Sequence, residues 1–166
     1  MEEETQLKWE GEASVGLEGS APQQVWGLLE DFCSIHKWHP NLDTSYQVDG
    51  VPGQPGLVRY CGITSKSSTM WVKEKLTVID PIKRCLSYEI VDNNMGFKSY
   101  VGTMEVLPMI NDADDEEIGC RIKWSFVCDP MVGWKYEDLL SNIESSLQFM
   151  AKKMEEHVSS LVDLNT

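Results

Sequence analysis

The sequence predicts an α+β fold: a curved antiparallel sheet with one long C-terminal helix laid on its concave face. Three features point to it. Side-chain polarity alternates with period two over most of the chain up to Cys128, a short helical stretch interrupts the strands after the first one, and the period changes to that of a helix after Pro130 and Gly133.

The first strand is expected around residues 8–17, where Trp9, Ala13, Val15 and Leu17 fall on one side and Lys8, Glu10, Glu12 and Ser14 on the other. In "SAPQQVWGLLEDF", Ser20 followed by Gln23 fits a capping box and Pro22 fits a first helical turn, so a pair of short helices should run over about 21–36 and end before Pro40. Five or six strands follow, separated by "DGVPGQPG", "SKSS", "DPIK", "DNNMG" and the acidic stretch "NDADDEEIG" at 111–119, read as a solvated hairpin loop. Leu139, Leu140, Ile143, Leu147, Met150, Met154, Val158 and Leu161 then form a stripe at three- and four-residue steps, a helix of about seven turns.

With 166 residues, 42% hydrophobic and 25% charged, the chain reads as one globular, soluble domain over 1–166, with 1–7 and 162–166 as flexible ends. That is enough chain to enclose a cavity. A formal net charge of −13 with no offsetting basic cluster argues against nucleic acid and anionic lipid surfaces as partners. Five dispersed cysteines without a C-x-x-C pair read as reduced core thiols, and the acidic N-terminus does not look like a signal or transit peptide. No apolar run approaches a membrane span, so a cytoplasmic protein is expected.

The informative stretch is "WVKEKLTVID" at 71–80. As a strand it puts Glu74 on the face shared by Val72, Leu76 and Val78, away from Trp71, Lys73, Lys75 and Thr77. A carboxylate on an apolar face is costly to desolvate and demands a cation, donors, water or a ligand beside it. Arg59 alternates with Leu57 and Cys61 and can supply the cation, although Val58 and Tyr60 make the opposite face equally apolar. Parity also sends Leu86, Tyr88 and Ile90, then Tyr100, Met104 and Val106, then Cys120, Ile122, Trp124, Phe126 and Cys128 inward. Arg59, Glu74, Tyr88 and Tyr100 thus form a polar constellation in an apolar interior. Either a structural network or a ligand pocket of few polar and many apolar groups has that composition.

No metal and no cofactor are expected. In "HKWH", His36 and His39 lie three apart without a third ligand, His157 stands among glutamates as a solvated side chain, and the acidic stretch lacks the central Gly and final Glu of a calcium loop. No phosphate loop, nucleophile elbow or Cys/His dyad is legible.

The stretches "DFCSIHKWHP", "GLVRY", "WVKEKLTVID", "YVGTM" and "KWSFVC", in this order over about 8–158, resemble the START and birch-pollen-allergen superfamily, also described as the polyketide cyclase/dehydrase and lipid transport group. Within it they are most similar to the plant lachrymatory-factor-synthase family. The resemblance implies a helix-grip fold, in which a seven-stranded sheet grips the long helix. It also implies that Arg59 and Glu74 are catalytic, moving a proton on a small sulfenic acid to give a thial S-oxide. Tyr88 and Tyr100 fall on the two pocket tyrosines and Trp124 on a pocket tryptophan, with Ile35, Leu147 and Met150 as further lining.

Two positions depart from that family: Ser146 stands where it has a tryptophan on the helix, and Met70 where it has a phenylalanine. The pocket should therefore be roomier and the substrate different. The abscisic-acid receptors share the superfamily, but "CGITSKSST" replaces their Ser-Gly-Leu-Pro-Ala gate. Two functional classes follow: a lyase or isomerase acting on a small, mostly apolar metabolite, or a non-catalytic carrier or receptor-like binder of hydrophobic metabolites, lipids or hormones.

Overall fold

A computed structural model of the chain describes residues 7–64 and 68–163. In chain order it contains β1 (Trp9–Glu18), α1 (Pro22–Glu30), a 3₁₀ segment (Phe32–Lys37), β2 (Thr44–Asp49), β3 (Val58–Thr64), β4 (Thr69–Asp80), β5 (Cys85–Asn93), β6 (Val101–Ile110), β7 (Glu117–Cys128) and α2 (Tyr136–Asp163). The strands form one curved antiparallel sheet in the order β1-β7-β6-β5-β4-β3-β2, which is the expected helix-grip arrangement. Of the ends expected to be flexible, Leu7 is exposed and α2 runs on to Asp163; the rest lies outside the described residues, as does most of the "SKSS" turn.

The two short helices differ in kind. α1 buries Val25, Trp26 and Leu29 and starts with Pro22 in its first turn. Its cap lies one residue later than expected: Gln24, not Gln23, reaches back, its Oε1 accepting from the Ala21 N–H at 3.2 Å, while Ser20 is buried. The second is a six-residue 3₁₀ segment that buries Phe32 and Ile35 and stops at Lys37, three residues before Pro40.

Strand parity holds except at bulges. Glu74 pairs with Ile90 and Leu76 with Tyr88, but Thr77 is an extra residue on β4, so the alternation slips. Val78, expected inside, is therefore 50% exposed, and Ile79 takes the inner place opposite Leu86. On the outer face of β2, β3 and β4, Tyr46, Tyr60 and Trp71 stack across the strands with ring centroids 4.9 and 6.2 Å apart. That outer ladder takes up the apolar face carrying Tyr60 and leaves the inner face to Arg59.

α2 turns Leu139, Ile143, Leu147, Met150, Met154 and Val158 into the core, whereas Leu140 is half-buried and Leu161 exposed, at the two ends of the stripe. Its first turn is tied to the sheet edge by the Tyr136 hydroxyl, which donates to the Glu10 carbonyl at 2.7 Å, and by Trp9 edge-on to Tyr136. His157, expected in solvent, packs edge-on to Trp38 at 5.1 Å between ring centroids, because the loop after the 3₁₀ segment folds back on α2. The cysteines are all free; Cys61, Cys120 and Cys128 are buried and Cys33 and Cys85 half-buried. Among the described residues no helix is long and apolar enough to cross a membrane.

Candidate functional site

Sheet and helix enclose a cavity of about 410 Å³. Its polar centre is set by register: Arg59 on β3 and Glu74 on β4 are directly paired residues on the inner face, so their side chains meet. Both are buried, at 4% and 8% exposure.

Arg59 Nε and Nη2 both lie 2.8 Å from Glu74 Oε1, and Nη1 donates to the Phe32 carbonyl at 2.7 Å. The guanidinium carbon sits 3.6 Å from the centroid of the Phe32 ring and 5.1 Å from that of Tyr88. The Cys61 thiol approaches the same Oε1 at 3.6 Å. Burial works against the Arg59 charge, but the Glu74 carboxylate, with Cys61 and Tyr88 adding to it, offsets burial and raises the guanidinium pKa, so the cation is fixed. Burial likewise pushes the Cys61 thiol far above its ordinary range, which keeps it protonated and inert.

The two oxygens of Glu74 are thus unlike. Oε1 takes three neighbours, whereas no donor among the described residues reaches Oε2. Of the described side chains, only Trp124 has a fully buried polar atom without a hydrogen bond, its Nε1, so the unpartnered Oε2 must open into the cavity.

Tyr88 and Tyr100 stand beside this pair with ring centroids 6.2 Å apart. Tyr88 has room only because Gly102 faces it on β6: a Cβ there would come within 2.5 Å of the Tyr88 ring. Burial raises both phenol pKa values well above the ordinary one, so both remain hydroxyls. Tyr100 stacks on Phe126 at 6.0 Å, and the Trp124 indole acts on its hydroxyl without reaching bonding geometry.

Of the lining positions read from the sequence, Ile35, Met70, Tyr88, Tyr100, Trp124 and Met150 come together around the cavity with Arg59 and Glu74; Met70, 42% exposed, stands at its rim. Ser146 and Leu147 do not line it. Leu147 is packed in the core, and Ser146 faces an adjoining polar cleft, where its hydroxyl accepts from Asn41 Nδ2 at 3.5 Å.

Several lining residues escaped the sequence reading. His39, Asn41 and Leu42 come from the loop after the 3₁₀ segment, Met95 and Phe97 from the β5–β6 connection, and Trp134 from the turn before α2. They lie on irregular backbone, where no period marks an inner face. His36 and His39 part company: the His36 backbone N–H and ring turn to Ser45, while His39 lines the cavity. His39 Nδ1 accepts from the Asn41 N–H at 3.2 Å. Burial, with Arg59 nearby, lowers its pKa to about 4, so the ring is neutral near pH 7.

Residues 3–159 match the family model for polyketide cyclase / dehydrase and lipid transport. The chain belongs to this family. The structure is similar to that of the protein XoxI from Bacillus cereus, at 22% identity over 92% of this chain and 96% of that one, with a TM-score of 0.71. It is also similar to ginseng major latex-like protein 151 from Panax ginseng, at 18% identity over 91% and 97%, with a TM-score of 0.70. At these identities the likeness speaks for the fold alone. Family membership implies a small hydrophobic ligand, and the cavity is where such a ligand fits.

Proposed function

We propose that this polyketide cyclase/dehydrase-family protein binds a small, mostly apolar molecule in the cavity and moves a proton on it, with Glu74 as the base and Arg59 as the cation that holds it. The observation that carries this is the divided carboxylate. A salt bridge serving only architecture tends to satisfy both oxygens, whereas here Oε1 is saturated and Oε2 is turned to the cavity. Oε2 takes a proton from one atom of the ligand, the electron pair shifts along the conjugated system, and the proton is returned to another atom. The product is an isomer. For a sulfenic acid of the lachrymatory-factor-synthase type, the proton leaves the S–O–H oxygen and returns to carbon, leaving a thial S-oxide. A cytoplasmic protein of a single domain fits this role, and the trimmed Met70 position at the cavity rim favours a ligand other than that family's own.

A second reading is a carrier or receptor-like binder of hydrophobic metabolites, lipids or hormones. It is favoured by the engagement of Arg59 with Glu74 and the Phe32 carbonyl, which makes the pair a strut between the 3₁₀ segment and the sheet. Incubation with small sulfenic acids generated in situ and with conjugated ketones separates the two. Isomerised product that disappears in Glu74→Gln supports the enzyme; stoichiometric retention of unchanged ligand by parent and variant alike supports the carrier.

A further inference from the structure

We infer that His39 is the hydrogen-bond donor that receives the ligand's oxygen, and that the ligand is an uncharged molecule carrying a carbonyl or S-oxide acceptor rather than a carboxylate. This rests on the cavity being the ligand site, as proposed above, and adds the group that recognises the ligand's polar end.

The tautomer follows from the loop. The backbone N–H of His39 is held by the Ile35 carbonyl at 3.0 Å, and Nδ1 is occupied as the acceptor of the Asn41 N–H. A neutral imidazole whose Nδ1 accepts carries its proton on Nε2. No acceptor among the described residues takes that N–H, and it is not a fully buried unsatisfied atom, so it is free to donate, on a side chain that lines the cavity. The ring stands edge-on to Trp124, 6.3 Å between centroids.

The rest of the cavity explains the class of ligand. Arg59 is committed to Glu74 and the Phe32 carbonyl, so no free cation is available to a carboxylate, and the free Oε2 of Glu74 would repel one. An uncharged oxygen has no such penalty and finds a donor in His39. For proton transfer the arrangement is apt: when Glu74 takes the proton, charge gathers on the ligand's oxygen, and a neutral N–H aimed at it stabilises that charge.

Three near-isosteric probes test this: 4-phenylbutan-2-one, butylbenzene and 4-phenylbutanoate, titrated into the ¹⁵N-labelled protein. The ketone is expected to bind about tenfold tighter than butylbenzene and the carboxylate weakest. The His39 Nε2–H resonance should shift with the ketone and not with butylbenzene. In His39→Phe the ketone's advantage over butylbenzene should vanish; the NMR shift in the parent decides the matter should that variant not fold. The inference is overturned if the advantage survives in His39→Phe, if it is lost in Tyr100→Phe instead, or if the carboxylate binds best. If neither the ketone nor butylbenzene binds, the cavity reading fails together with it; if both bind as expected but nothing turns over, only the proton transfer fails.

Discussion

Arg59 puts Nε and Nη2 on one oxygen of Glu74, each at 2.8 Å, instead of spanning both oxygens. A fork meeting a carboxylate head-on would use two parallel bonds and leave neither oxygen free. The offset geometry orients the acid while preserving one acceptor for another molecule.

Glu74→Gln keeps the shape of that side chain but removes its basicity. Turnover is expected to fall on the order of a hundredfold or more, with the cavity still binding butylbenzene. Steady-state rates normalised to the folded fraction, alongside thermal unfolding, provide the check. A variant that melts earlier yet turns over at the parent rate per folded molecule would make Glu74 architectural.

Arg59→Leu leaves the carboxylate buried without its cation and frees the Phe32 carbonyl. A loss of about 3–5 kcal/mol is expected in urea unfolding. Replacing both residues together, Arg59→Leu with Glu74→Leu, should recover much of that loss, because the uncompensated charge is gone. Equal losses in the single and double variants would show that the Phe32 contact, not the ion pair, governs stability.

Gly102→Ala forces a Cβ against the Tyr88 ring, which is buried and has nowhere to swing but the cavity. A destabilisation of about 1–3 kcal/mol is expected. Butylbenzene affinity should fall in the same variant, measured by calorimetric titration. Unchanged affinity would mean that β6, not Tyr88, gives way.

His39 has a pKa of about 4 in the folded protein against an ordinary value of 6.5. Between these, the unfolded chain binds a proton that the folded protein refuses. Its contribution to stability is therefore complete above about pH 6.5 and is lost as pH falls toward 4, on the order of 1–3 kcal/mol for a half-buried ring. His39→Gln should flatten this part of the profile, seen as the difference between parent and variant in urea unfolding at pH 7.0 and 4.5. The same slope in both proteins would place the effect on other groups.

Much of the site was legible because strands report it. Glu74, Tyr88 and Trp124 lie on strands where period two marks an inner face, Tyr100 stands just before β6 in step with Gly102 and Met104, and the paired register of Arg59 and Glu74 follows once β3 and β4 are adjacent. Three things were not legible. Bulges such as the one at Thr77 are set by how neighbouring strands twist, not by local composition, so Val78 was placed on the wrong face. Residues 39–42 belong to a loop whose direction depends on docking of the 3₁₀ segment against β2, where Ser45 bonds to the Cys33 carbonyl. On α2 the apolar stripe identifies the buried side but not which of its residues meet the cavity, so Leu147 and Met150, both buried, could not be told apart.

The strand order has a consequence for how the protein is made. Among the described residues β1 pairs only with β7, so Trp9 waits for Cys128, and α2, which completes the cavity wall, leaves the ribosome after each of these strands. Until then the inner face, with Trp124 and Phe126 on it, lacks the cover of α2, and the edge strand β1 has no neighbour. The nascent chain therefore passes through a stage in which its ligand-binding surface is its stickiest surface. An apolar ligand present during synthesis, or a chaperone that shields that face, should raise the yield of folded protein.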